Sequence, residues 1–145
     1  MAKEETLAQV DLFSTLSKKE LQSLLRSCQE RKFSTGSTIM SQGDAGVGLY
    51  VLKSGKVRIV RADGTPTGTE TELGMVSAPD VLGEMSLLDD LPRSASVIVV
   101  EDVDALVLPV WEFRSTLRNN PEIGLKLLAV LSRRLRKSEA RNNDL

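Results

Sequence analysis

Apolar positions recur along this chain with two different periods, and the switches between them divide it into three parts. Near the N-terminus Leu21, Leu24, Leu25 and Cys28 fall three or four residues apart, which places them on one face of a helix. Just ahead, Ser17-Lys18-Lys19-Glu20 has the form of a capping box, and Leu16 is placed to staple onto Leu21. From 31 to 110 the texture changes to short β-rich runs at 48–52, 56–61, 94–101 and 104–110, broken by glycine. Beyond 110 the pattern is helical again: 111–117 predicts a short helix, and Asn120 caps a longer one with Pro121 at its first position.

These elements predict a mainly β protein with flanking helices (α+β), an antiparallel β-roll or jelly-roll barrel with an N-terminal helix and a long C-terminal helix. At 145 residues the chain suits one domain with one real core. The expected divisions are an N-terminal helix over 11–30, a β-roll over 31–110 and C-terminal helices over 111–141. Ala62-Asp63-Gly64 reads as a hairpin turn, and the polar stretch 65–69, with Pro66 inside it, as an exposed tip.

In the last helix Leu127, Leu128, Leu131 and Leu135 form an apolar stripe, while Arg133, Arg134, Arg136, Lys137 and Arg141 crowd the other faces. The stripe needs a partner: the roll, a bound ligand, or the same helix of a second subunit in a homodimer. The basic cluster reads as a solvated face that opposes the negative end of the helix dipole.

Composition narrows the function. Lys and Arg total 19 against 20 Asp and Glu, a net charge of -1, so no overall field draws the chain to nucleic acid or to an acidic membrane. The absence of histidine excludes Ser-His and Cys-His catalysis, His-ligated zinc and haem bound through His. The single Cys28 cannot form an internal disulfide and reads as a small buried apolar residue. No apolar run approaches the roughly 20 residues that span a bilayer, and no apolar signal core opens the chain, so a cytoplasmic location is expected.

The chemistry concentrates in 80–97. A short helix-like turn begins at Gly83, so the backbone N–H groups of Gly83 to Met85 are positioned to meet a phosphate. Arg93 adds a planar fork that grips two phosphate oxygens and keeps its charge when desolvated. Glu84 would repel a phosphate, but its carboxylate accepts a hydrogen bond from a sugar hydroxyl. A phosphate donor set beside a hydroxyl acceptor implies a nucleotide; a plain salt bridge between Glu84 and Arg93 is the competing reading.

This segment resembles the phosphate-binding cassette of cyclic-nucleotide-binding domains, through Leu82-Gly83-Glu84-Met85-Ser86-Leu87 and Arg93-Ser94-Ala95-Ser96-Val97. A second family pattern precedes it in 39–55, with Gly43-Asp44, Gly46, a four-residue apolar strand and Gly55. The resemblance covers nearly the whole chain and is closest to the regulatory domain of catabolite activator-type bacterial regulators. It implies a β-roll that binds a cyclic nucleotide, with Gly83 and Glu84 at the ribose, Arg93, Ser94, Met85 and Ser86 at the cyclic phosphate, and Leu131, Arg134 and Ser138 of the last helix as lid and base contacts. Ser94, where cGMP-preferring members often carry threonine, fits cAMP as the ligand, with cGMP the lesser candidate.

No metal, catalytic residue or enzymatic activity is expected. A phosphodiesterase would want a metal cluster to activate water, and a redox or haem sensor would need several cysteines or a haem ligand. No helix-turn-helix follows the last helix within these residues, so no DNA-binding motif is expected here. The remaining alternative is a degenerate β-roll that serves as a protein-interaction or dimerisation module without nucleotide.

Overall fold

The computed structural model describes the backbone of residues 3–45, 48–83 and 93–143. It begins with helix α1 (Lys3–Ala8), a 3-10 turn at Asp11–Phe13 and helix α2 (Lys18–Leu25). The capping box forms as the sequence predicts: Ser17 N donates to Glu20 Oε1 at 2.8 Å and Glu20 N to Ser17 Oγ at 3.2 Å. The helix expected over 11–30 is shorter and divided, because α2 stops at Leu25 and Gln29 and Glu30 already belong to strand β1 (Gln29–Phe33). Helix α1 escapes a reading by period because it is only 6 residues long, barely more than one and a half turns.

Five more strands follow: β2 (Thr38–Met40), β3 (Gly48–Ala62), β4 (Glu70–Ser77), β5 (Val81–Leu82) and β6 (Ser96–Pro109). All pairings are antiparallel, in the order β1-β6-β3-β4, with β2 on β6 and β5 on β3. The runs at 48–52 and 56–61 merge into the single strand β3 of 15 residues, and those at 94–101 and 104–110 into β6 of 14 residues. Register shifts between Leu52 and Val57 bend this long pair without ending it. Val110, expected at a strand end, opens helix α3 (Val110–Asn119).

Side chains on β3 and β6 alternate between two cores, as the pleat requires. Leu49, Val51, Leu106 and Leu108 pack among the helices with Leu24, Phe113 and Leu127. Their neighbours Tyr50, Leu52, Ala105 and Val107 face the other way, against Met40, Val57, Leu82, Val97, Val99 and Val103. The hairpin tip between β3 and β4 is exposed, as expected. Asp63 Oδ1 accepts from Thr65 Oγ1 at 2.7 Å and Thr65 N at 2.9 Å, and these bonds hold its carboxyl below the ordinary value.

Helix α4 (Pro121–Asn143) closes the structure. Asn120 does not cap it in the expected way: its side-chain Nδ2 donates back to Thr116 O of α3 at 3.0 Å, while its backbone carbonyl accepts from Ile123 N at 3.0 Å. The single leucine stripe resolves into two. Ile123, Leu127 and Val130 are buried in the helical core, with Leu131 half-buried beside them. Leu125, Leu128 and Leu135 point outward, 67%, 63% and 60% exposed. Two ion pairs tie α4 to the N-terminal helices: Lys126 Nζ to Glu20 Oε1 at 2.6 Å, and Arg134 Nη2 to Asp11 Oδ2 at 2.7 Å.

Glu20 Oε1 therefore accepts from both Lys126 and the Ser17 N–H. The Lys126 bond, then the Ser17 N–H, hold its carboxyl below the ordinary 4.5. A carboxyl with a depressed folded pKa stabilises the fold above its unfolded pKa, and that stabilisation is lost as pH falls through the folded value. Glu20→Gln is expected to cost about 1 kcal/mol at neutral pH. The deficit against wild type should narrow in acid and close once the pH lies below the depressed folded value of the Glu20 carboxyl. Urea melts at neutral and acid pH check this, and a deficit that persists unchanged in acid would overturn it.

Candidate functional site

Arg93 lies three residues ahead of β6, and it is only 8% exposed. A guanidinium taken out of water needs acceptors in place, or the charge is too costly to bury. The backbone of β3 supplies one: Arg93 Nη2 donates to Gly48 O at 2.7 Å. Its main chain is held as firmly, since Arg93 N donates to Asp44 O and Gly43 N donates to Arg93 O, each at 2.8 Å.

Two glycines make room for this arrangement. Gly83 follows β5 in the left-handed region at φ +77°, and a Cβ there would run into Arg93 Nη1 and lie 3.0 Å from Cζ and Nη2. The left-handed backbone favours glycine, and a side chain there would displace the Arg93 guanidinium. Gly48 has no space either, because a Cβ would collide with Leu108 O and sit 3.1 Å from Pro109 Cα. Its missing side chain lets β3 run close to the end of β6 while its carbonyl reaches Arg93.

Ser94 is exposed, and among the described residues its hydroxyl has no protein partner. Its carbonyl accepts from Arg61 Nε at 3.0 Å. One residue beyond Ala95, Ser96 Oγ accepts from Gln42 N at 2.9 Å. The Gln42 side chain imitates a strand: its Oε1 accepts from Ala62 N at 2.8 Å and its Nε2 donates to Ala62 O at 3.3 Å.

Of the residues singled out from the sequence, the structure brings Gly83 and Arg93 into contact and places Ser94 next to them in the chain. Glu84, Met85 and Ser86 lie outside the described residues. Leu131 packs on the helical core, Arg134 pairs with Asp11, and Ser138 is exposed on α4. Gly48, Asp44, Gln42 and Arg61 were not singled out as site residues. The 43–55 glycine pattern marked turns of the roll, but nothing in a sequence reveals which carbonyl will face a guanidinium. Among the described residues there is no group of three or more potential metal ligands, and no helix long and apolar enough to cross a membrane.

Six antiparallel strands flanked by helices, with an arginine buried just ahead of β6, define a helix-flanked β-roll. The model of the cyclic nucleotide-binding domain matches residues 30–120, and the chain belongs to that family. It is 34% identical over 142 residues to a CRP-like cAMP-activated global transcriptional regulator of Mycobacterium tuberculosis, covering 98% of this chain and 61% of that protein. It is 38% identical over 128 residues to the cyclic AMP receptor protein of Thermus thermophilus, covering 88% of this chain and 58% of that protein. The crystal structure of the N-terminal domain of a transcriptional regulator from Streptomyces coelicolor A3(2) superposes with a TM-score of 0.85 at 33% identity, covering 94% of each chain. The chain spans about three-fifths of the length of the two curated relatives.

Replacing Gly83 tests the packing directly. Gly83→Ala is expected to cost about 1–2 kcal/mol through the left-handed backbone alone and to push the guanidinium off Gly48 O. Urea titration reads the first effect, and the NMR shift and solvent exchange of the Arg93 side-chain N–H groups read the second. An unmoved Arg93 signal would show that Gly83 does not set its position.

Proposed function

We propose that this chain is a non-enzymatic sensor domain that binds cAMP and signals through its last helix. The observation that carries this reading is the Arg93 guanidinium, buried against Gly83 and aligned by Gly48 O at the end of the cassette. A cation fixed in this way strengthens its interaction with an anion, because little reorganisation remains when the anion arrives. Arg93 and Ser94, with Met85 and Ser86, take the cyclic phosphate; Gly83 and Glu84 take the ribose. Both curated relatives are named for cAMP, which supports cAMP over cGMP.

The helix α4 provides the output. Nucleotide binding selects a position of α4 in which Leu131 and Ser138 approach the base. Arg134 joins that lid only by exchanging its Asp11 partner for the ligand, so the ion pair belongs to the unliganded state. Leu125, Leu128 and Leu135, exposed at steps of three and seven, fit a helical seam with a second copy of the chain.

Titration calorimetry of nucleotide-free protein tests the ligand. Saturable binding of cAMP, tighter than cGMP, is expected, and Arg93→Ala should weaken it by roughly 2–5 kcal/mol, the scale of removing one partner from a desolvated charge pair. Unchanged affinity in that variant would mean the anion site is elsewhere. No binding of either nucleotide would favour the interaction-only β-roll. For the helix, Leu128→Glu combined with Leu135→Glu should convert a dimer to a monomer in sedimentation velocity; a wild-type chain that is already monomeric removes the seam.

A further inference from the structure

Just ahead of the first ladder pair of β6, the chain runs through three residues that no strand pairing fixes: Arg93, Ser94 and Ala95. Arg93 is secured by Asp44 O and Gly43 N, and the ladder begins with Ser96 opposite Val60. Ser94 lies between these two anchors. Among the described residues its one hydrogen bond is from Arg61 Nε to its carbonyl oxygen, at 3.0 Å. Arg61 reaches it from the exposed outer end of β3, next to Ala62, which the Gln42 amide clamps in place.

We propose that Arg61 is a positioning residue of the anion site, acting through Ser94. The proposal rests on the reading of Arg93 and Ser94 as the cyclic-phosphate contacts. A carbonyl held by a guanidinium fixes the rotation of its own peptide group. With the preceding peptide held by Gly43 N on Arg93 O, fixing the Ser94 carbonyl sets the direction in which the Ser94 Cα–Cβ bond presents its hydroxyl, which otherwise hangs on a short bend. Arg61 thereby converts a serine on a loose strand entry into an oriented donor, without touching the ligand itself. The role suits arginine more than lysine, because the planar fork has its orientation built in, while an ammonium on a flexible stem does not.

A double-mutant cycle on the full chain, read by calorimetry with cAMP, separates this role from a direct one. Arg61→Met and Ser94→Ala should each weaken binding about three- to tenfold, the range of one hydrogen bond. The double variant should be no weaker than Ser94→Ala alone, since Arg61 has nothing left to orient. Arg61→Lys should recover part of the loss. Additive losses would show that Arg61 acts on the phosphate by its own charge and would overturn the positioning role, as would wild-type affinity in Arg61→Met. A second readout stands apart from the ligand: in nucleotide-free protein, Arg61→Met should lower the NMR backbone order parameters of Ser94 and Ala95 and leave those of 97–107 unchanged. If wild type binds no cyclic nucleotide but this local loosening appears, the functional reading fails while the Arg61–Ser94 tether stands. If the bend is no looser in the variant, the Arg61 proposal fails whatever the chain binds.

Discussion

A guanidinium without acceptors is among the costliest groups to place in a protein interior, and the burial of Arg93 constrains the geometry of everything around it. The carbonyl of Gly48 must point at Nη2, so β3 has to begin at one height against β6, and that approach leaves no space for a side chain at residue 48. The guanidinium also lies against the chain leaving β5, where a Cβ at residue 83 would displace it. The turn at 43–44 then grips the Arg93 main chain from the outside. Four separate stretches of sequence thus meet at one cation, and the fold of the roll end and the chemistry of the site are a single arrangement.

Much of this was legible beforehand, for reasons that differ from element to element. The capping box could be read because its partners are three residues apart and both bonds are local. The roll could be read from its alternation, and Gly83 and Arg93 from their place in the cassette pattern. The merging of four predicted runs into β3 and β6 could not, because a bend that keeps its ladder leaves the same glycine and polar signature as a turn that ends one. Asn120 was misread because an amide before a proline serves either neighbouring helix, and only packing decides which. The leucines of α4 were placed on one stripe because steps of three and four fit one face, whereas Leu127 and Leu128, adjacent in sequence, lie about 100° apart around the axis and face different surroundings.

The contacts sequence reading missed are of one kind. Gly48 O, Asp44 O and the Ser94 carbonyl are backbone groups, whose partners are set by how distant segments come together rather than by residue type. Gln42 belongs with them, since its side chain works as a piece of backbone. Residue identity announces charge and shape; it says little about which peptide group will receive them.

The alternation along β3 and β6 reaches beyond stability. Successive residues of the same two strands serve the helical layer and the roll interior in turn, Leu49 and Val51 one way, Tyr50 and Leu52 the other. The two faces are in effect two independent inheritances written on one strand, and the parity that serves each changes where the register shifts, since Leu52 and Val57 both line the roll. A lineage can reshape the roll lining by point changes on one face and keep the surface on which the helices pack, so the two layers can diverge separately without a new fold.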